Sequence, residues 1–334
     1  MPHRLAFVSS AHIHTKDFLR RIAEPDCDAV VHAIWDDDPG RGRRYAEQAG
    51  CPFFDDLDAL VADDAVDGFV VCDATVHHFA RLEKVLPAGK PTLCEKQVVA
   101  TADQAKQVRA MAEASGAKLC SGYFFPYVGG NAAIRKAVDG GAFGEITHAS
   151  YCNAHHAAYG RWFDSDDLNW FTKKDLALGG AMIDMGTHAV HWLTYLLGEV
   201  NEAWGAVGNA SGVYPDVDDW GVGQLRFGSG TFGRVEASWV RHGGGGPIEL
   251  WGMEGALVKH NDGWAVKRGD KDPVRLPPAD DEVNRIDRLI AILDDALDPA
   301  LHAREFDAEL RAVMIMEAIY RSHATGRWEP VAAV

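Results

Sequence analysis

No Cys-x-x-Cys pair occurs among the six cysteines, so the chain carries neither a zinc knuckle nor a redox dithiol motif. Cys27, Cys51, Cys72, Cys94, Cys120 and Cys152 are scattered, mostly in apolar runs, and read as small buried hydrophobes rather than a disulfide framework. No apolar run reaches the roughly 18 residues of a membrane span. No signal peptide precedes the first strand-like segment, so a cytoplasmic location is expected. Basic charge is scarce: 33 Lys+Arg stand against 49 Asp+Glu, a net charge of −16. Nucleic acid and anionic membranes need a basic surface, so neither is expected as a partner. Internal repeats and low-complexity tracts are absent too. What remains is an ordinary globular composition, 47% hydrophobic and 25% charged over 334 residues, enough for two domains with sizeable cores.

One absence is local. Leu5-Ala6-Phe7-Val8 suits a buried first strand. A dinucleotide-binding fold would continue with Gly-x-Gly-x-x-Gly and a helix whose N-terminus takes the pyrophosphate. The chain has Ser9-Ser10-Ala11-His12-Ile13-His14 instead, with no glycine. Ser9, Ser10 and Ala11 are small enough to leave the backbone amides open, and His12 and His14 could donate to phosphate oxygens. The strand–helix rhythm then holds. Phe18, Leu19 and Ile22 mark a helix, and Ala29 to Ile34 a strand. Asp36 follows that strand about twenty residues past the loop, where a carboxylate receives ribose hydroxyls and repels a 2′-phosphate. NAD is therefore expected over NADP, although Arg41, Arg43 and Arg44 nearby would suit NADP. Further strands are read at Gly68–Cys72, Pro91–Cys94 and Lys118–Ser121, and a capped helix at Thr101 to Gly116.

Two stretches carry the chemistry. Gly179-Gly180-Ala181-Met182-Ile183-Asp184-Met185-Gly186-Thr187-His188 runs into the helical pattern Trp192, Leu193, Leu196, Leu197, stopped by Gly198. On a helix, Asp184 and His188 would share one face. A carboxylate beside an imidazole suits proton abstraction; the plainer reading is a buried pair at a helix end. The glycines admit another chain segment or a ligand close to the backbone. The second stretch, Cys94-Glu95-Lys96-Gln97, places a lysine at a strand end, where open α/β sheets bind ligands.

Together these stretches resemble the glucose–fructose oxidoreductase, inositol dehydrogenase and MocA (Gfo/Idh/MocA) family. Its members carry Glu-Lys-Pro after a Rossmann strand and Gly-Gly-Gly…Asp-x-Gly-x-His in a second domain. Here Glu95-Lys96-Gln97 and Asp184-Met185-Gly186-Thr187-His188 stand in those places. The order, gap and chain length fit over nearly the whole sequence. The resemblance implies an α/β protein. An N-terminal Rossmann-like, doubly wound parallel sheet would occupy residues 1–122. A C-terminal α+β domain, for substrate binding and oligomerisation, would occupy 123–334, with a large, mostly antiparallel, open-faced sheet. The strand patterns Ile146–Asn153, Val200–Gly208, Gly221–Phe227, Thr231–Trp239, Ile248–Met253, Ala256–His260 and Ala265–Lys267 agree with such a sheet. Helices are read at Ala132–Val138, Asn284–Leu297 and Asp307–Ser322.

By the same resemblance, Lys96, Asp184 and His188 would be catalytic. Ser9, Ala11, His12, Ile13, His14, Asp36, Asp73, Ala74, His78, Glu95 and Lys96 would bind the dinucleotide. Tyr123, the loop residues His155, His156, Tyr159, Arg161 and Trp162, and again Lys96, Asp184 and His188 would bind substrate. For Tyr123 a core aromatic is the equal alternative, and for the loop an ordered surface turn. The implied activity is oxidation of a hydroxyl on a sugar, polyol or sugar derivative by hydride transfer. Rival readings are an NAD-dependent oxidation–elimination that cleaves glycosides, a non-redox metal lyase or isomerase using Asp184, His188 and His155 or His156, and a binding or regulatory protein. No resident metal is expected. Nine of the ten tryptophans lie after residue 160, and a tryptophan-rich sheet with one uncovered face leads to the expectation of a homo-oligomer, dimer or tetramer.

Overall fold

The computed structural model describes residues 1–128, 130–261, 263–278 and 284–333. The chain forms two compact units. The first comprises Met1–Gly122, Phe163–Leu178 and Asn284–Leu310; the second comprises Tyr123–Trp162, Gly179–Val283 and Arg311–Val334.

The first unit is built on strands β1 (His3–Val8), β2 (Ala29–Trp35), β3 (Phe53–Phe54), β4 (Gly68–Val71), β5 (Thr92–Cys94) and β6 (Leu119–Ser121). They pair in parallel in the order β3-β2-β1-β4-β5-β6. This is the doubly wound order, and its direction reverses between β1 and β4. Leu5 to Val8, Gly68 to Val71 and Thr92 to Cys94 are all buried, which is why these strands read as unbroken apolar runs rather than alternating ones. The helix Ala102–Ser115 starts as expected, with the Thr101 hydroxyl accepting from the Gln104 backbone.

The boundary read at residue 122 is not the end of this unit. Two later segments return to it. In the helix Arg285–Leu293, Ile286, Leu289 and Ile292 pack into the core that holds Leu5, Phe7, Phe18 and Leu93. Each such side chain contributes about 1.5–3 kcal/mol on burial. Asn284 and Asp287 form a reciprocal cap at its start, and Asp287 also pairs with Arg21 at 2.8 Å. The spacing of Ile286, Leu289 and Ile292 shows an apolar stripe in the sequence; it does not say which sheet the stripe covers.

The second unit is built on β7 (Ile146–Ala154), β8 (Val200–Gly208), β9 (Trp220–Phe227), β10 (Phe232–Ser238), β11 (Glu249–Gly252), β12 (Gly255–His260), β13 (Gly263–Lys267), β14 (Val274–Arg275) and β15 (Glu329–Pro330). Their order is β14-β13-β12-β11-β7-β10-β9-β8-β15. Among the described residues only the β7–β10 pair is parallel, so the sheet is mostly antiparallel, as the alternating patterns suggest. Buried and partly exposed residues alternate along β9 and β10. Among the described residues, no helix is long and apolar enough to cross a membrane.

Candidate active site

In the first unit the candidate residues gather at the C-terminal ends of β1, β2, β4 and β5. Ser9, the first residue of the glycine-free loop, has φ +66°. That left-handed conformation is the one a glycine adopts at no steric cost, so the turn keeps its shape although the residue is serine. The loop leads into the helix Thr15–Ile22. Its interior is closed: Ser9, Ser10, Ala11 and His12 are all buried, while Ile13 and His14 are partly exposed. Trp170 from the segment 163–178 donates its indole N–H to the Ala11 carbonyl at 3.0 Å. Phe171 packs 5.5 Å from the His12 ring. Neither contact is legible in the sequence.

Glu95 is fully buried beside the loop. Its carboxylate pairs with His14 Nδ1 at 2.9 Å, lies 3.6 Å from His12 Nδ1 and accepts from the Lys96 backbone N–H at 3.1 Å. Burial alone would raise this carboxyl; His12, His14 and Lys96 outweigh it and hold it well below the usual carboxylate range. Gly122 makes room for this arrangement, since a Cβ there would stand 2.2 Å from Glu95 Oε2. The neighbouring Lys96 is 4% exposed. His78 ties the strand ends together, with Nδ1 2.8 Å from the Gln97 carbonyl and Nε2 3.0 Å from the Asp73 carbonyl. Asp73 itself accepts from Arg81 and from the Ala74 backbone N–H, each at 2.7 Å.

Asp36 ends β2 as expected, but it is not an open carboxylate. It accepts from Arg41 Nε and Nη2, from the Ser10 backbone at 2.8 Å and from the Asp38 backbone at 2.9 Å. A carboxylate offers about four acceptor positions, and all are taken. Its side chain is fully buried, and burial pushes its pKa up to about 6 against the opposing pull of Arg41. Arg41 also reaches Asp37 at 2.9 Å, so this arginine is committed to carboxylates rather than standing free for a 2′-phosphate.

In the second unit the Gly179–Gly180 pair opens a π-helical turn, Met182–Gly186, which continues as the helix Thr187–Leu197. Single π turns inside helices frequently mark functional sites. The plain α-helical spacing expected for Asp184 and His188 is therefore replaced by a wider turn. Asp218 holds its start: the carboxylate accepts from Gly180 N–H at 3.0 Å and Met182 N–H at 2.7 Å, and the Asp218 carbonyl accepts from Ala181 at 2.8 Å. A carboxylate at a helix N-terminus answers amides that have no partner within the helix. The three glycines of the motif are explained by close packing of protein on protein. A Cβ would stand 2.3 Å from the Tyr320 hydroxyl at Gly179, 1.9 Å from the Asp218 carbonyl at Gly180 and 2.6 Å from Met182 Sδ at Gly186.

His188 is buried in an aromatic cage. The rings of Phe124, Phe125 and Tyr123 lie 5.1, 5.2 and 5.5 Å from its own. Tyr123 is fully buried, stacks on His191 at 4.1 Å and shares a 2.6 Å hydrogen bond with Thr187, the environment of a core aromatic. Asp184 accepts from the Trp239 indole at 2.9 Å and lies 4.0 Å from His155 Nε2. His155 and His156 pack on Trp162, and Tyr159 stacks on His242 at 5.0 Å. Arg161 lies over the Tyr214 ring. Tyr159 and Trp162 are 48% and 42% exposed, an open aromatic rim of the kind that a sugar face can stack on. Nothing in the sequence marks Asp218, Phe124 or Phe125 as part of this site; the aromatic wealth of the chain is visible there, its convergence on Asp184 and His188 is not.

Two family models match this chain. A model of the oxidoreductase family with an NAD-binding Rossmann fold matches residues 4–123, and a GFO/IDH/MocA C-terminal domain model matches residues 131–258. A 1,5-anhydro-D-fructose reductase from Ensifer adhaerens is 25% identical over 223 residues, 66% of this chain and 65% of that protein, so the match spans about two thirds of its length. An inositol 2-dehydrogenase from Rhizobium meliloti is 25% identical over 321 residues, 90% of this chain and 92% of that one. A solved levoglucosan dehydrogenase, in complex with NADH and levoglucosan, shares the fold with a TM-score of 0.80 at 19% identity, covering 100% of both chains.

Proposed function

Since the chain belongs to the Gfo/Idh/MocA family of oxidoreductases, we propose that it is an NAD-dependent dehydrogenase. Its substrate in this reading is a sugar, polyol or sugar derivative, oxidised at a hydroxyl by hydride transfer. The observation that carries the reading is Lys96. It is a lysine delivered at the end of β5, in a sheet of doubly wound order, and almost entirely withdrawn from water. A preorganised donor at the substrate oxygen, where an alkoxide forms, contributes several kcal/mol to the transition state.

In this proposal His188 takes the hydroxyl proton and the ammonium of Lys96 donates to the same oxygen. Asp184, held by Trp239, supplies negative charge near the imidazoles. His155, His156, Tyr159, Arg161 and Trp162 form the substrate rim. The first unit fits a dinucleotide at three points: Ser9 keeps the left-handed turn, the helix Thr15–Ile22 begins after the loop, and Asp36 ends β2. Ser9, Ala11, His12, Ile13 and His14 would face the pyrophosphate, Asp36 the adenosine ribose, and Asp73, Ala74, His78 and Glu95 the remainder. NAD, when bound, supplies the hydride acceptor. The test is spectrophotometric: NADH formation with a panel of sugars and polyols, the protein having first been shown free of bound nucleotide. No turnover with any of them, and no heat on titration with NAD or NADP in either redox form, overturns the proposal.

The ribose contact makes a sharper expectation. Ribose hydroxyls must displace Arg41 from Asp36, because the carboxylate has no acceptor position left. NAD binding should therefore weaken at least about tenfold in Asp36→Ala, the loss of a charged hydrogen bond of about 1.5–3 kcal/mol. The pH dependence follows in sign. The nucleotide needs the ionised carboxylate, burial pushes Asp36 up to about 6, and so affinity should fall as pH drops through that value. Calorimetry across that range should show the fall in the native protein and none in Asp36→Asn. A flat native profile rules out Asp36 as the ribose contact.

We also propose a homo-oligomer, dimer or tetramer, joined through the open face of the nine-stranded sheet. Trp251 and Met253, at the β11–β12 hairpin, are 43% and 73% exposed, apolar surface that a partner subunit would cover. Light scattering that returns the mass of one chain at micromolar concentration would rule this out.

A further inference from the structure

The glycine-free loop carries a feature that dinucleotide binding does not require. One donor atom from each of His12, His14 and Glu95 lies within 4.8 Å of the others. The three come from two places in the sequence, 81 residues apart, brought together by the parallel order of β1 and β5 around β4. His12 is 2% exposed, and its Nε2 is enclosed with no hydrogen-bond partner, while its Nδ1 receives the His14 backbone N–H at 3.3 Å. The Nδ1 atoms of both imidazoles face the Glu95 carboxylate, at 3.6 Å from His12 and 2.9 Å from His14. Gly122 leaves the space beside Glu95 that a side chain would fill.

We propose that His12, His14 and Glu95 form a binding site for a divalent transition-metal ion of the zinc class. The donor set decides the class. Two imidazoles and one carboxylate suit zinc, cobalt or nickel, whereas magnesium and calcium take oxygen ligands. Three protein ligands leave a fourth position open for water or an anionic oxygen. From the sequence no resident metal is expected, and the rival metal ligands are Asp184, His188 and His155 or His156; the group that lies together among the described residues is His12, His14 and Glu95. On binding, the ion replaces the proton that His14 and Glu95 share in their 2.9 Å hydrogen bond.

The test uses the full chain, treated with chelator and shown free of nucleotide, so its outcome does not depend on whether NAD binds. It is titrated with zinc chloride, with cobalt chloride, and with magnesium chloride as a control. One zinc per chain is expected at a Kd of about 1 μM or tighter, with visible d–d absorption from cobalt and no binding of magnesium. His12→Ala and His14→Ala should each weaken zinc by at least about tenfold. His148→Ala, an exposed histidine on β7 outside the cluster, should leave it unchanged. His14 has a side-chain exposure of 27%, so its variant keeps the test open if His12→Ala fails to fold. Zinc binding no tighter than magnesium in the native chain, or equal zinc binding in the native chain and in His14→Ala, overturns the proposal.

Discussion

Replacing His188 by alanine should lower turnover by about 10²–10⁴, the usual contribution of a positioned acid–base group, while the protein stays folded. His188 sits at 4% exposure among Tyr123, Phe124 and Phe125. Its ring is fixed by packing on several sides, and fixed orientation gives a proton acceptor its advantage over a solvent molecule. Lys96→Ala should fall in the same range for a different reason: it removes the donor at the oxygen on which negative charge develops. The two variants separate by their kinetic form. Loss of an interaction made only in the transition state lowers kcat and kcat/KM together, whereas loss of uniform binding raises KM alone. Steady-state kinetics on the identified substrate therefore decide each role. Full turnover in either variant removes that residue from the mechanism, and a pure KM effect at Lys96 makes it a binding group only.

Gly180→Ala should destabilise the second unit by about 3–5 kcal/mol, the upper part of what single substitutions do. The added Cβ would lie 1.9 Å from the Asp218 carbonyl oxygen, 2.9 Å from its carbon and 3.0 Å from its nitrogen, all tighter than ordinary non-bonded contact. Relief by movement is blocked, because Asp218 is held to this very turn by the N–H groups of Gly180, Ala181 and Met182 and by the Tyr320 hydroxyl at 2.8 Å. Gly186→Ala is the control: its clash is with the Met182 thioether, 2.6 Å away, a flexible side chain that can turn aside. Denaturant unfolding of the three proteins should rank the native chain first, Gly186→Ala second and Gly180→Ala last by a wide margin. Equal stability of the two variants would show that the turn is not anchored on Asp218.

The two site clusters differ in how far the sequence revealed them. Lys96 after an apolar strand and His188 after a glycine pair were both readable, because strand ends and helix starts have local signatures. By sequence Tyr123 suits a substrate contact and a core residue equally; its full burial, its hydrogen bond to Thr187 and its stack on His191 place it in the core. Asp218 had no signature at all. It lies 38 residues from Gly180 in the chain, in a stretch of three close aspartates, and only the sheet's pairing brings it to the helix start. The same holds for Arg41. Its charge is visible in the sequence and would suit a nucleotide phosphate, but its commitment to Asp36 depends on where the helix Pro39–Ala49 sets down after β2.

What the sequence alone determined is therefore the local order: apolar runs that must be buried parallel strands, alternating runs that must line a one-sided sheet, and the motif residues that close each of them. These follow from periodicity and from backbone chemistry, which act over a few residues. The tertiary structure decided what meets across long separations: that Trp170 reaches the Ala11 carbonyl, that the helix Arg285–Leu293 returns to the first sheet, and that His12 and His14 close on Glu95. Such contacts are selected by packing and by the need to satisfy buried polar groups. An apolar stripe or a lone carboxylate states that requirement in the sequence without naming the partner that will meet it.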